Sequence, residues 1–291
     1  MSDDDTQLHD CDLCGSSNAA EIEVARRYSG GSPLHVCKDC GFVYVRLRRS
    51  ASSIADDWSD DIYQKGYTAR IPAVHARQTY VADFIDSSID LKGKTVCDIG
   101  AGEGQFLEII EREYGAKAFA IEPSAANCKM MDDAGLETFC GTIEDYQASG
   151  QASERRFDVA TVVWTMENCQ SCRTMMDAAY DALVPGGHVV VATGSRILVP
   201  FKKPLQYYIG PDRNLDTHCF RASANTLRGL FAVSGFVTTH INRYIDTDYL
   251  VAIGEKTDKS AEIEWEKDTF EEIVDFFNRW DEDTQRFYKD S

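Results

Sequence analysis

The chain has 291 residues, 43% hydrophobic and 27% charged. This ordinary globular balance excludes a wholly disordered or fibrous chain and leaves room for a sizeable core. Lys and Arg number 30 against 48 Asp and Glu, a formal charge of −18, which argues against bulk nucleic acid or anionic membrane as a partner, because both need a basic surface. No stretch approaches the ~18 apolar residues of a membrane span. The acidic start Met1-Ser2-Asp3-Asp4-Asp5 lacks the basic and apolar regions of a signal peptide. The expectation is a cytoplasmic protein whose ten cysteines are thiols or metal ligands rather than staples.

Residues 1–49 read as an acidic tail and a cysteine-bearing module with short strand-like runs such as 41–45. Cys11-Asp-Leu-Cys14-Gly15 and Cys37-Lys-Asp-Cys40-Gly41 are two C-x-x-C knuckles separated by 22 residues. Each pair can bite one tetrahedral ion, and the glycine after each second cysteine lets the backbone turn toward the sulfurs. The spacing predicts a structural zinc ribbon on Cys11, Cys14, Cys37 and Cys40, although iron fits the same ligands. Four thiolates leave no open position, so this metal has no catalytic part. A third pair, Cys169 and Cys172, has neither a partner pair nor a following glycine; chance is the leading account, and a redox role near a strand end is the alternative.

Residues 50–71 are polar, with Asp56, Asp57, Asp60 and Asp61 around Trp58, and read as a linker or lid in which Tyr63 and Tyr67 cover a ligand. Pro72 opens a helix to about residue 88, with Val74, Val81, Phe84 and Ile85 near one face. Strands at 95–99, 118–121, near Thr138, 159–164 and 188–193 then alternate with helical patterns, the signature of a parallel sheet with crossover helices. Runs at 236–244 and 249–254, joined by a short Asp-rich connection, suggest an antiparallel pair. In 255–291, Phe270, Ile273, Val274, Phe277 and Trp280 mark an amphipathic helix. It packs on its own domain or, in the sharper reading, on a second copy in a homodimer. The expected divisions are 1–49, 50–71, 72–254 and 255–291.

Between the first strand and its helix runs Asp98-Ile-Gly100-Ala-Gly102-Glu-Gly104. Three glycines let the backbone pass close to a ligand at the strand's carboxyl end. The G-x-G-x-G spacing departs from the G-x-G-x-x-G of dinucleotide sites. The preceding Asp98 suits a ligand bearing ammonium or sulfonium rather than a pyrophosphate. Glu122, followed by Pro123, ends the second strand, where an acid can accept both ribose hydroxyls. After the third strand, Ile143 and Glu144 are placed to meet an adenine amine through backbone or carboxylate.

Taken together these motifs resemble the class I S-adenosylmethionine-dependent methyltransferases. Asp98 to Gly104 matches their first motif, Glu122 the ribose acid, Phe157-Asp-Val159 the start of the fourth strand, and Leu183-Val-Pro-Gly-Gly-His188 the turn before the fifth. The resemblance covers about residues 72–254. It implies an α/β fold with a Rossmann-like, mostly parallel seven-stranded sheet of order 3-2-1-4-5-7-6 beside the small ribbon. The ribbon, the segment from Trp58 to Tyr63 and the segment from Asp216 to Phe220 look like bacterial methyltransferases of sugar and surface-glycan biosynthesis. Zinc-binding sugar C-methyltransferases are relatives. They often carry Glu-His or Cys-His just after the fourth strand; here the pair is Glu167-Asn168, and asparagine cannot take a proton.

An alcohol acceptor needs a base, and His is the usual choice near neutral pH. His218, in a loop over the expected acceptor side, is the first candidate, His75 the second. Arg196, Lys202 and Lys203 with Tyr207 and Tyr208 can hold a phosphate and stack on a ring, which points to a small-molecule acceptor, a nucleotide sugar or phosphorylated glycan. O-methylation is the leading reading and C-methylation of a keto sugar the nearest alternative. An RNA methyltransferase fits the acidity poorly, and a non-enzymatic partner protein fits the intact glycine loop poorly.

Overall fold

The computed structural model describes residues 6–27, 33–56, 70–151, 155–194, 218–243 and 249–287. Its first part holds strands β1 (Thr6–Leu8), β2 (Ala19–Glu21), β3 (Leu34–Cys37), β4 (Val43–Val45) and β5 (Leu47–Arg49), then helices α1 (Ala51–Asp56) and α2 (Pro72–Ile89). There follow β6 (Thr95–Ile99), α3 (Gln105–Tyr114), β7 (Lys117–Glu122), α4 (Ala125–Asp133), β8 (Glu137–Cys140), α5 (Ile143–Ala148) and β9 (Phe157–Val163). The chain continues with α6 (Cys172–Ala182), β10 (Leu183–Thr193), β11 (Phe220–Arg221), α7 (Ala224–Val233), β12 (Phe236–Ile241), β13 (Leu250–Lys256) and α8 (Phe270–Phe287).

Seven strands form one sheet in the order β8-β7-β6-β9-β10-β13-β12. Numbered within the sheet this is 3-2-1-4-5-7-6. The first five strands run parallel, and β13 is antiparallel to both β10 and β12. Alternation along each strand explains the layering. In β7, Ala118 and Ala120 face the layer of α2 and α3, whereas Phe119 and Ile121 face the layer of α5, α6 and α7. In β10, Val190 and Ala192 face the first layer, Val189 and Val191 the second.

β10 is longer than the expected 188–193, because its pairing with β9 begins at Leu183, shifts register before His188, and takes the Pro185-Gly-Gly turn into a bulge. β9 ends at Val163, one residue short of the expectation, since Trp164 adopts φ +57 and leaves the strand. β12 ends at Ile241 rather than 244, and residue 244 lies outside the described set. The expected linker contains α1, whose Ile54 is buried.

The ribbon is not closed on itself. Its four-stranded sheet, β11-β4-β3-β2, takes its edge strand from Phe220–Arg221, far along the chain. α8 covers the other side, where Ile273 and Phe277 are buried with Ile22, Ala25, Leu34, Val36 and Val43. Arg27 pairs with Asp281 of α8 at 2.5 Å. The apolar face that suggested a second copy is thus covered by the chain's own ribbon. Phe277→Ala leaves a cavity in that small cluster. It is expected to lower unfolding free energy by about 3 kcal/mol, read from the shift of the urea midpoint.

Candidate active site

The carboxyl ends of β6, β7, β8 and β9 open on one cavity of about 440 Å³, closed on its other sides by α1, α2, Gly194, His218 and Tyr249. The end of a parallel sheet where crossovers diverge is the usual place for a ligand. Short polar residues cap the helices there: Ser124 on α4, Thr142 on α5 and Ser171 on α6 each accept a backbone N–H of the first turn.

The glycine loop stands at the cavity's centre. Gly100, Gly102 and Gly104 have φ of +78°, +59° and +76°, the left-handed region that favours glycine. A Cβ at Gly100 would run into the Thr165 side chain, and one at Gly104 would come within 2.6 Å of Met131 Cγ. The Gly102 N–H donates to Glu122 Oε2 at 2.8 Å. The other oxygen of Glu122 accepts from the Ser124 N–H at 3.0 Å and Asn127 Nδ2 at 3.3 Å. Burial pushes the Glu122 carboxyl up, and these donors oppose that shift.

Asp98 is buried beneath the loop and is not among the residues that line the cavity. Its carboxyl is pushed up to about 7 by burial, against the pull of the Thr161 hydroxyl that donates to Oδ1 at 2.6 Å. Gly104 starts α3 and also stands back from the cavity. Gly100, Gly102, Glu122, Pro123, Ile143 and Glu144 line it.

Glu167, Asn168 and His218 all line the same cavity. The turn Met166–Asn168 after β9 carries the first two, and the Cys219 N–H donates to the Glu167 carbonyl at 2.8 Å, bringing the His218 loop alongside. Glu167 is only 2% exposed, and its Oε1 accepts from the Gly194 N–H at 3.3 Å. His75 is exposed on α2, 3.5 Å from Thr79 Oγ1, and does not line the cavity. Tyr63, Arg196, Lys202, Lys203, Tyr207 and Tyr208 lie outside the described residues.

Several lining residues carried no signal in the sequence reading. Trp164 sits in the left-handed region, held by its N–H to the Ala192 carbonyl at 2.7 Å and by an edge contact with Tyr249, ring centres 5.5 Å apart. Such a conformation costs about 1–3 kcal/mol and collects at functional sites. Gln78, Gln105 and the α1 residues Ala51, Ile54 and Ala55 also reach the cavity. Nothing in the order of residues placed Trp164 or α1 here.

The cavity's chemistry fits a cationic, donor-rich ligand. Among the described residues that line it, Glu103, Glu122, Glu144 and Glu167 stand against one arginine, Arg77. Gln78 Oε1, Gln105 Oε1, Glu167 Oε2 and Asn168 Oδ1 are buried acceptors without a partner among the described residues, and such atoms suit donors from a ligand. Residues 73–241 match the family described as methyltransferase domain. The chain belongs to that family. Those residues are its methyltransferase domain.

The methyltransferase is 28% identical over 149 residues to a ubiquinone biosynthesis O-methyltransferase of Neisseria meningitidis, covering 49% of this chain and 59% of that protein. It is 30% identical over 134 residues to the protein of the same name from Xylella fastidiosa, covering 44% and 53%. The match thus spans little more than half of these curated relatives' length. Among solved structures, the 1,6-didemethyltoxoflavin N1-methyltransferase of Burkholderia thailandensis superposes with TM-score 0.53 at 16% identity, covering 75% of this chain and 95% of that one. The magnesium protoporphyrin IX methyltransferase of Synechocystis gives 0.52 at 12%, covering 71% and 99%. At such identities the likeness is one of fold.

The four cysteine sulfurs of the ribbon lie within 4.8 Å of one another. Cys11–Cys40 and Cys14–Cys37 are 3.6 and 3.5 Å apart, near the roughly 3.8 Å that a tetrahedral ion with bonds of about 2.3 Å requires. Burial pushes Cys169 and Cys172 well up, so both are ordinary thiols.

The folded protein keeps the Asp98 proton up to about pH 7, while the unfolded chain releases it near 3.8. The folded state therefore binds more protons in that window, and this group's contribution makes stability fall as pH rises through it. Asp98→Asn removes the contribution, so the loss of stability from pH 5 to pH 8, followed by denaturant midpoints, is expected to be smaller in the variant.

Proposed function

We propose that the methyltransferase acts on a hydroxyl of a small molecule, with Glu167 and His218 managing the proton. The observation that carries the reading is Glu167, a nearly inaccessible carboxylate with one oxygen unpartnered at the acceptor end of the cavity. Glu122, Pro123, Ile143, Glu144 and the backbone of Gly100 and Gly102 hold the cofactor's nucleoside and amino-acid portions, with Asp98 supporting the loop from beneath. Tyr63 covers it. When bound, S-adenosylmethionine supplies a methyl group on a sulfonium, already activated for displacement.

The chain's residues then position and deprotonate. Glu167 Oε2 and Asn168 Oδ1 accept hydrogen bonds from the acceptor, holding its oxygen at near-attack distance. His218 would take the proton that the acceptor hydroxyl must lose on methylation. The name O-methyltransferase borne by the curated relatives supports oxygen as the target. The finer proposal is a sugar or nucleotide-sugar acceptor, its phosphate held by Arg196, Lys202 and Lys203 and its ring by Tyr207 and Tyr208. It rests on those residues and on the ribbon, which is filled by a structural zinc ion. The relatives' connection with ubiquinone biosynthesis favours a hydroxylated ring as the competing acceptor.

Titration calorimetry with S-adenosylmethionine and S-adenosylhomocysteine is expected to give micromolar binding that Gly102→Arg abolishes. Absence of binding by folded wild-type protein would overturn the cofactor assignment. Nucleotide sugars and hydroxylated aromatic rings are then compared as acceptors by mass spectrometry. With the acceptor found, Glu167→Gln and His218→Asn each lower kcat by about a hundredfold or more while leaving S-adenosylhomocysteine affinity near wild type. A loss of cofactor binding in either would reassign that residue.

A further inference from the structure

Arg48 of β5 is unusual for a ribbon residue. It is 1% exposed and stacks on Phe220, with its guanidinium 4.8 Å from the ring centre. Its Nη2 donates to Asp12 Oδ2 at 2.6 Å, and its Nη1 donates to the Gln170 carbonyl at 2.5 Å. Asp12 lies between the ligands Cys11 and Cys14, and its other oxygen accepts from Ser171 Oγ, the cap of α6, at 2.8 Å. Gln170 lines the cavity beside Asn168. A second link runs through the backbone: the Val45 N–H of β4 donates to the Cys219 carbonyl at 2.8 Å, and the Cys219 N–H to the Glu167 carbonyl.

A buried ion pair adds little net stability over apolar packing of equal size, because desolvation offsets the attraction. Its planar fork does fix direction. Here one arm holds the first cysteine knuckle and the other holds the turn that carries Glu167 and Asn168.

We propose that Arg48 is a positioning residue through which the metal-filled ribbon sets the acceptor wall of the cavity, residues 166–171 and 218–221. This rests on reading that wall as the acceptor site. With a metal on Cys11 and Cys14, the knuckle presents Asp12 in one position. Arg48 and Ser171 then hold the wall to it. The glycine loop meets the wall at one point, where Thr165 Oγ1 donates to the Gly100 carbonyl at 3.2 Å, and Glu122 lies one strand further away, on β7.

The test follows amide hydrogen exchange by mass spectrometry in the zinc-loaded full chain, the same protein stripped by a chelator at neutral pH, Arg48→Met and Arg48→Lys. Zinc content and S-adenosylhomocysteine affinity are measured for each. In Arg48→Met, zinc is expected to stay bound and cofactor affinity to stay within about threefold, while exchange at 166–172 and 218–222 rises about tenfold and at 99–104 by about twofold at most. Stripping gives the same pattern plus loosening of 33–45. Arg48→Lys keeps the charge opposite Asp12 but loses the fork, so its exchange falls between. The proposal is overturned if either perturbation leaves 166–172 and 218–222 at wild-type protection, or if Arg48→Met loosens 95–122 equally. Failure of wild-type protein to bind S-adenosylhomocysteine counts against the cofactor reading alone, because the exchange pattern is read without it.

Discussion

The turn from β6 into α3 needs a backbone that side chains obstruct, and much of the site is arranged around it. Left-handed glycines at 100, 102 and 104 carry the chain under Thr165 and over Met131 without a clash. The Gly100 N–H is tied to the Ile121 carbonyl at 2.8 Å and the Gly102 N–H to Glu122. The Gly141 N–H in turn donates to the Glu122 carbonyl at 3.0 Å. Three strand ends are thereby held at one level. Glu122 braces the loop and leaves lone pairs for a ligand, so cradle and ligand contact share one buried carboxylate.

The opposite wall is built on another principle. Residues 166–171 are irregular, and irregular backbone needs partners from elsewhere to hold one shape. Those partners come from the ribbon: Asp12 on Ser171, Arg48 on Gln170, and β4 through Cys219 to Glu167. The C-terminal segment closes the arrangement. Asp268 packs against the Gly41 knuckle, where a Cβ would meet it at 2.6 Å, and accepts hydrogen bonds from Ser223 and from Asn225, the latter at 2.9 Å, at the start of α7. Ribbon, acceptor wall and C-terminal helix therefore form one continuous packing unit.

The parallel sheet was legible because its strands are short apolar runs punctuated by glycine, proline and capping residues, all local signals. The glycine-loop side of the cavity was legible for the same reason: Gly100 to Gly104, Glu122 and Ile143-Glu144 each sit within a few residues of a strand end. The cysteine set was legible from spacing. Less could be read where contacts are long-range. The burial of Ile54 of α1 in the cavity wall, the pairing of Phe220–Arg221 with β4, and the burial of Ile273 and Phe277 against β3 all join residues far apart in the chain. The left-handed turn at Trp164 was likewise invisible, since the residue type disfavours it and only surrounding bonds enforce it.

The sequence by itself determined the class of sheet, the glycine loop at the first strand's end and the clustering of four cysteines, because periodicity, glycine conformation and cysteine spacing are written into neighbouring residues. Tertiary structure decided which candidates share a site. It set Glu167, Asn168 and His218 around one cavity, left His75 on an outer face, and drew Asp98 beneath the loop rather than into the cavity. It also made the ribbon a neighbour of the acceptor wall. The physical reason is common to all of these: burial, and the pairing of buried polar groups, depend on what the fold brings close, and chain order does not encode that distance.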